Sequence, residues 1–357
     1  MPRLRSLLTL GLVAGLALAA TPFGGDSAPR AQTGSNPLEG LRFYVDKASP
    51  SWLQWQAFTR AGQKRKADLI WKIAREPKSL WLGRFTRPNF FVKVRRLIDP
   101  ARAEGSVPIF TVLRAQSTGC GPSYTGGGPA EDARTRAWYG DLARAIGNDR
   151  VVIAFEPDSL GTIDCLARNR RGDRLRLLRY GVTALSKLPN ATVYLEAGAS
   201  DWEAAARTAK QLRAIGIAKV QGFMLNATHY DWTKANIQHG LDISRRVGGK
   251  HFIINTAENG RGPVHYRHGG RRINVWCNPG LRGLGPVPTT NTVHPKVDAY
   301  LWINRPGYAQ FCQGRPIAWY VPRALTYARY ATDWEKPPRG ARFGHRKRHP
   351  RGTFGIP

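Results

Sequence analysis

Val151-Val152-Ile153-Ala154-Phe155-Glu156-Pro157-Asp158-Ser159-Leu160 joins an unbroken apolar run to two carboxylates and a turn-forming proline. Five apolar residues, three of them β-branched, suit a strand buried on both faces, the kind found in parallel sheets covered by helices. Carboxylates just past such a strand stand where parallel α/β folds project residues into a ligand crevice. Asp158 is therefore a candidate general acid. Its alternative role is local, with Asp158 and Ser159 capping the next helix.

Working outward, similar short runs occur at Leu41 to Val45, Val107 to Leu113, Thr192 to Leu195, Val220 to Leu225, Phe252 to Ile254 and Ala299 to Ile303. Helical spacing lies between them, as in Trp138, Leu142 and Ile146, or Leu178, Val182 and Leu185. Ser200-Asp201-Trp202-Glu203 has the pattern of a capping box, and Gly216 and Gly248 suit helix stops. Strand and helix thus alternate through a single α/β domain over residues 36–334, and a barrel-like parallel sheet with helices outside is expected. A doubly wound open sheet is the alternative. No Gly-x-Gly-x-x-Gly follows the first strand and there is no Walker motif, which removes support for dinucleotide and phosphate chemistry.

A parallel sheet would gather its strand ends on one face. Asp46, Arg114, Glu156, Asp158, Glu196, Asn226, Asn255, Thr256 and Asn304 would form a polar floor there. Trp202, Trp276 and Trp302 lie on or beside the same ends, and flat aromatic faces suit the CH faces of sugar rings. The Gly-, Pro- and Arg-rich segment from Glu258 to Lys296 shows no clear helix or strand and is expected to be a lid or binding loop.

The N-terminus sets the compartment. Arg3 and Arg5, the apolar stretch Leu7 to Leu18 and Ala17-Leu18-Ala19 describe a cleavable secretory signal over residues 1–19, followed by a flexible lead over 20–35. No later stretch is long and apolar enough to span a bilayer, so a secreted protein is expected. In that setting Cys120, Cys165, Cys277 and Cys312 suggest two disulfides, with three pairings open; pairing of sequence neighbours would staple two loop-rich regions. None of the cysteines forms Cys-x-x-Cys and the histidines do not cluster with them, so no metal is expected.

Lys and Arg number 55 against 24 Asp and Glu, a formal charge of +31 with a pI near 10.9. Such a balance raises nucleic-acid binding, but the expected export, the expected disulfides and the lack of any nucleic-acid module argue against it. Residues 335–357 hold seven Lys and Arg after Glu335 and no further acid, the composition of a disordered tail. Such a tail could adhere to anionic envelope polymers, or be merely solvated.

Taken together, several motifs resemble the family 6 glycoside hydrolases, the cellobiohydrolases and endoglucanases. They are Asn36-Pro37-Leu38 leading to Phe43-Tyr44-Val45-Asp46, Cys120 with Tyr124-Thr125-Gly126-Gly127-Gly128, and Glu156-Pro157-Asp158-Ser159-Leu160. Tyr194-Leu195-Glu196-Ala197-Gly198, Asn226 ahead of Tyr230, Trp276-Cys277-Asn278 and Asp298-Ala299-Tyr300-Leu301-Trp302 continue the series. The resemblance implies a distorted, incomplete (β/α) barrel with about seven parallel strands, acting on β-1,4-glucan with inversion and without cofactor or metal. It implies Asp158 as general acid, Trp202 and Trp276 as sugar-stacking residues, and the pairs Cys120 with Cys165 and Cys277 with Cys312. Asn226 and Asn304 are further candidates for contact with the glycan. The family's aspartate before its first disulfide cysteine is Gly119 here, and its tyrosine at the preceding strand end is Leu113. A histidine often found beyond the next strand is Ala199. Its Lys-x-x-Gly-Glu-x-Asp pattern becomes Asn304-Arg305-Pro306-Gly307-Tyr308-Ala309-Gln310. Glu196 is then the first candidate for the catalytic base and Asp46 the second.

Overall fold

The computed structural model describes residues 36–83, 89–115, 128–268, 271–275, 277–309 and 318–331. The expected signal, lead and basic tail, together with Cys120, Cys312, Gly119, Trp276 and Gln310, lie outside the described residues.

Seven strands form one parallel sheet: β1 (Leu80–Trp81), β2 (Ile109–Val112), β3 (Val151–Phe155), β4 (Ala191–Glu196), β5 (Gly222–Leu225), β6 (His251–Asn255) and, after the β7 (Val264–His268) and β8 (Arg271–Val275) hairpin, β9 (Val297–Leu301). The sheet curls until its outer strands approach. Ser79 N–H donates to the Trp302 carbonyl at 2.9 Å and the Trp81 indole N–H to the Ile303 carbonyl at 3.0 Å, so β1 and β9 meet along a seam. This is an incomplete α/β barrel.

Alternation along each strand builds two cores. Val151, Ile153, Phe155, Val193, Leu195, Phe223, Leu225, Phe252 and Ile254 face the surrounding helices. Val152, Ala154, Tyr194, Met224, Ile253, Ala299 and Leu301 fill the barrel interior. That period of two explains why these runs are apolar throughout: both faces are buried.

Six expected strands are present. The run Leu41 to Val45 instead makes only an isolated parallel bridge, Phe43 with Val107, supported by Val107 N–H to Arg42 O (2.8 Å) and Tyr44 N–H to Val107 O (3.0 Å). Leu80–Trp81 takes the seventh place in the sheet, and two residues are too few to show any periodicity. The segment before Asp46 seals the seam below this short strand, since Asn36 Nδ2 also donates to the Asp298 carbonyl at 2.8 Å.

Two further expectations are corrected. The helix after β4 begins at Ala205, not Ser200, because the Ser200 hydroxyl donates to Asp231 and Glu203 pairs with Arg207; the end of that helix at Gly216, with φ 97°, is as expected. Glu258 to Lys296 is not wholly irregular, since it contains the antiparallel hairpin β7–β8. Its signal was Gly269-Gly270 between two five-residue segments.

Candidate active site

The strand ends form the barrel mouth, and β3 dominates it. Glu156 and Asp158 both adopt left-handed backbone, with φ 56° and 66°, a costly conformation for residues other than glycine. Alternation would aim Glu156 into the barrel beside Val152 and Ala154. The left-handed turn brings it to Tyr139 instead, whose hydroxyl donates to Oε1 at 2.6 Å; Arg114 N–H donates to Oε2 at 2.9 Å and Ala115 N–H at 2.8 Å. Fully buried, Glu156 is a buttress that ties β3 to the end of β2. Burial lifts its pKa to about 7, against those hydrogen bonds.

Asp158 is half-buried and its Oδ1 accepts from the Thr228 hydroxyl. No α-helix begins here: the Asp158 carbonyl accepts from Thr162 N–H in a tight turn, and the next α-helix starts at Arg171.

Glu196 stands at the neighbouring strand end, 2% exposed. Its Oε2 accepts from Leu160 N–H at 2.9 Å and its Oε1 from Gly198 N–H at 2.8 Å. Burial, then the charge of Asp158, raise its pKa to about 8. Both oxygens therefore hold the two loops together. Glu196 also lies on the same wall as Asp158, because β3 and β4 are paired, whereas a base for inversion works from the opposite face of the sugar at roughly 6.5–9.5 Å. The geometry speaks against Glu196 as that base. Asp46, three residues past the Phe43 bridge, accepts from Ala48 N–H through its Oδ1 at 2.8 Å.

Asn226 and Asn255 face each other across β5 and β6 with no exposed surface. Asn226 Nδ2 donates to Asp231 O (3.2 Å) and Asn255 O (3.0 Å), while its Oδ1 accepts from Asp231 N–H (3.1 Å). Its amide shapes the loop, which corrects the expectation that it contacts substrate. Trp302 is fully buried and donates to the Pro286 carbonyl at 2.9 Å, so it belongs to the core and not to a platform. Asn304 is partly open; its Nδ2 donates to Glu258 Oε2 at 2.7 Å. Beside it the Arg305 guanidinium lies 5.1 Å from the Trp81 ring and 4.4 Å from Tyr308.

Trp202 is half-buried, with His229 stacked on it at 4.7 Å and 18°. Gly161 packs so closely that a Cβ there would lie 2.5–2.7 Å from three atoms of the indole. Imidazole and indole thus form one composite aromatic surface. His229, Glu258 and Tyr139 were missed from sequence; each has its partners far along the chain, where no local pattern marks them.

Cys165 and Cys277 are both disulfide-bonded, and none of the described cysteines is free. Among the described residues no cluster of three or more His, Cys, Asp or Glu is arranged to hold a metal ion, and no helix is long and apolar enough to cross a membrane.

The buried carboxyls have a consequence for stability. Glu156, Glu196 and Glu258 have pKa values near 7, 8 and 7 in the fold, against an ordinary 4.5, with burial the leading cause in each. A raised carboxyl pKa favours the folded state while the group is neutral, so this stabilisation is complete below pH 4.5 and is lost as pH rises through 7 to 8. Thermal melts should therefore show a midpoint that falls between pH 5 and pH 8.5. A midpoint rising across that interval would contradict the assignment.

Fold and mouth together define an α/β-barrel protein with a carboxylate and an aromatic wall at its strand ends. Residues 38–310 match the family described as Glycosyl hydrolases family 6. Endoglucanase A of Cellulomonas fimi is 34% identical over 294 residues, 81% of this chain and 61% of that protein. Endoglucanase 1 of Streptomyces sp. strain KSM-9 is 29% identical over 337 residues, 89% of this chain and 90% of that one. The endoglucanase Cel6 from Mycobacterium tuberculosis, solved in complex with methyl-cellobiosyl-4-deoxy-4-thio-β-D-cellobioside, has a TM-score of 0.75 at 33% identity, covering 83% of this chain and 99% of that one. Endoglucanase CEL6B from Humicola insolens, at 20% identity and a TM-score of 0.69, shares the fold. The chain belongs to glycosyl hydrolases family 6. It spans 61% of the length of the Cellulomonas relative.

Proposed function

We propose that this protein is an inverting β-1,4-glucan hydrolase of the endoglucanase kind, with Asp158 as the general acid that protonates the leaving glycosidic oxygen. The observation that carries this is the contrast among strand-end carboxylates. Glu156 and Glu196 are buried and bound by backbone N–H groups, Glu258 is 1% exposed beneath Asn304, and Asp158 alone of these four is partly open. Trp202 with His229 forms the sugar-facing wall beside it, Trp276 supplies a second stacking surface, and Asn304 contributes from the end of β9.

The base is the point of divergence. The internal segments outside the described residues (84–88, 116–127, 269–270, 276 and 310–317) contain no Asp or Glu, so every carboxylate between residues 36 and 331 has a described position. At the end of β9 stand Asn304, Arg305 and Tyr308. Loss of a positioned base costs a factor of about 10² to 10⁴ while leaving acid and electrostatic contributions in place. The enzyme is accordingly slow. This same feature favours a second reading, a glycan-binding protein that does not cut.

Secretion by residues 1–19, the flexible lead 20–35, a barrel domain over 36–334 and the pairs Cys120 with Cys165 and Cys277 with Cys312 complete the proposal. The endoglucanase relatives support a β-glucan as partner, and the basic tail over 335–357 suits anionic polymers. The test is incubation with a panel of β-glucans and mannans while reducing ends and anomeric configuration are followed. New reducing ends with inverted configuration from a β-1,4-glucan are expected; binding with no cleavage of any substrate would establish the second reading.

A further inference from the structure

His229 occupies a more organised position than a surface loop histidine. Its Nδ1 lies 2.9 Å from Asp201 Oδ1, and the other Asp201 oxygen accepts from Asn274 Nδ2 of the β7–β8 hairpin at 2.6 Å. Its ring stacks on Trp202, which is packed in turn on Gly161, three residues beyond Asp158. Its chain neighbour Thr228 donates to Asp158 Oδ1. Four segments thus meet in the cluster of His229, Asp201 and Trp202: the turn after β3 through Gly161, the loop after β4, the loop after β5 and the hairpin through Asn274.

We propose that His229 is a positioning residue for cleavage, clamped by Asp201 so that it orients the Trp202 face and holds a positive charge near Asp158. The proposal rests on reading this mouth as a glycosidase site. An imidazolium here would stabilise the carboxylate that Asp158 becomes after giving up its proton. The charged groups facing the ring are Asp201 and Asp158 on neighbouring loops and Asp231 on its own; burial opposes the charged form, but these three acids outweigh it and raise the pKa. The charge is therefore present at low pH and lost as pH rises through the raised value.

The sign is testable. With the cation present Asp158 loses its proton at a lower pH, so His229→Gln should move the high-pH limb of kcat/KM upward by about one unit, a shift typical of a unit charge about 10 Å away at an effective dielectric near 20. Gly161→Ala displaces the indole without removing the charge; it should raise KM and leave the limb in place. A purely structural histidine would lower activity equally at every pH, and that outcome overturns the proposal. Two measurements do not need turnover. NMR titration of the His229 ring should show a fall in its pKa in Asp201→Asn, and fluorescence assigned to Trp202 by difference from Trp202→Phe should rise as the quenching imidazolium deprotonates. If the wild type cuts no glycan, the hydrolase reading fails, and these two measurements alone judge the clamp; an unmoved ring titration and a flat fluorescence profile would sink it.

Discussion

Asp158→Asn should reduce hydrolysis of soluble β-glucan by roughly 10² to 10⁴-fold while leaving glycan binding nearly intact. The amide retains the size of the carboxyl and can still accept from Thr228 at its carbonyl oxygen, so the turn is preserved. What disappears is the proton given to the leaving oxygen. Because the left-handed φ at residue 158 is tolerated by Asn as well as by Asp, folding should be little affected. The check is kcat and KM on one soluble substrate, with binding of a cello-oligosaccharide measured separately. Equal turnover by the mutant and the wild type would remove Asp158 from the mechanism.

The second large effect concerns stability. Glu156→Ala leaves the Arg114 and Ala115 N–H groups and the Tyr139 hydroxyl without their acceptor in a fully buried place. Each unsatisfied buried donor costs about 1–3 kcal/mol, so a total of roughly 3–5 kcal/mol is expected after relaxation. For a domain of this size that corresponds to a fall in Tm of about 5–15 °C. Glu156→Gln keeps one good acceptor and should lose a smaller part. Equilibrium denaturation of both variants checks the ordering, and a cost below about 1 kcal/mol for the alanine variant would mean that Glu156 is not the buttress of this turn.

The two effects separate neighbours that look alike in sequence. Glu156-Pro157-Asp158 presents two carboxylates two residues apart at one strand end. Alternation along a strand would place both on the same side, yet the left-handed turn at Glu156 sends its carboxylate to the helix residue Tyr139 and leaves Asp158 beside Thr228. No local pattern distinguishes the buttress from the acid, because the distinction depends on Tyr139 and Thr228, 17 and 70 residues away from their respective partners.

The same limit explains the asparagines and tryptophans. Asn226 and Trp302 were correctly placed near strand ends, but their polar atoms serve Asp231, Asn255 and Pro286 within the fold. Conversely His229 carried no motif, and its place in the proposal follows from Asp201 and Trp202 meeting at its ring, with Asn274 bonded to Asp201 behind it.

By itself the sequence determined a parallel α/β sheet, because strands buried on both faces must be apolar without interruption, as in Val151 to Phe155; that this sheet curls into an incomplete barrel is seen in the Ser79 and Trp81 contacts across the seam. It also located Asp158 and Glu196 at the strand ends, where parallel α/β folds gather their site residues. Only the tertiary structure decided the seam, where the two-residue β1 and the segment before Asp46 share one gap, and only it assigned tasks to the acids. A carboxylate's task depends on its burial and on which N–H and O–H groups reach it, and those donors come from elements distant in the chain.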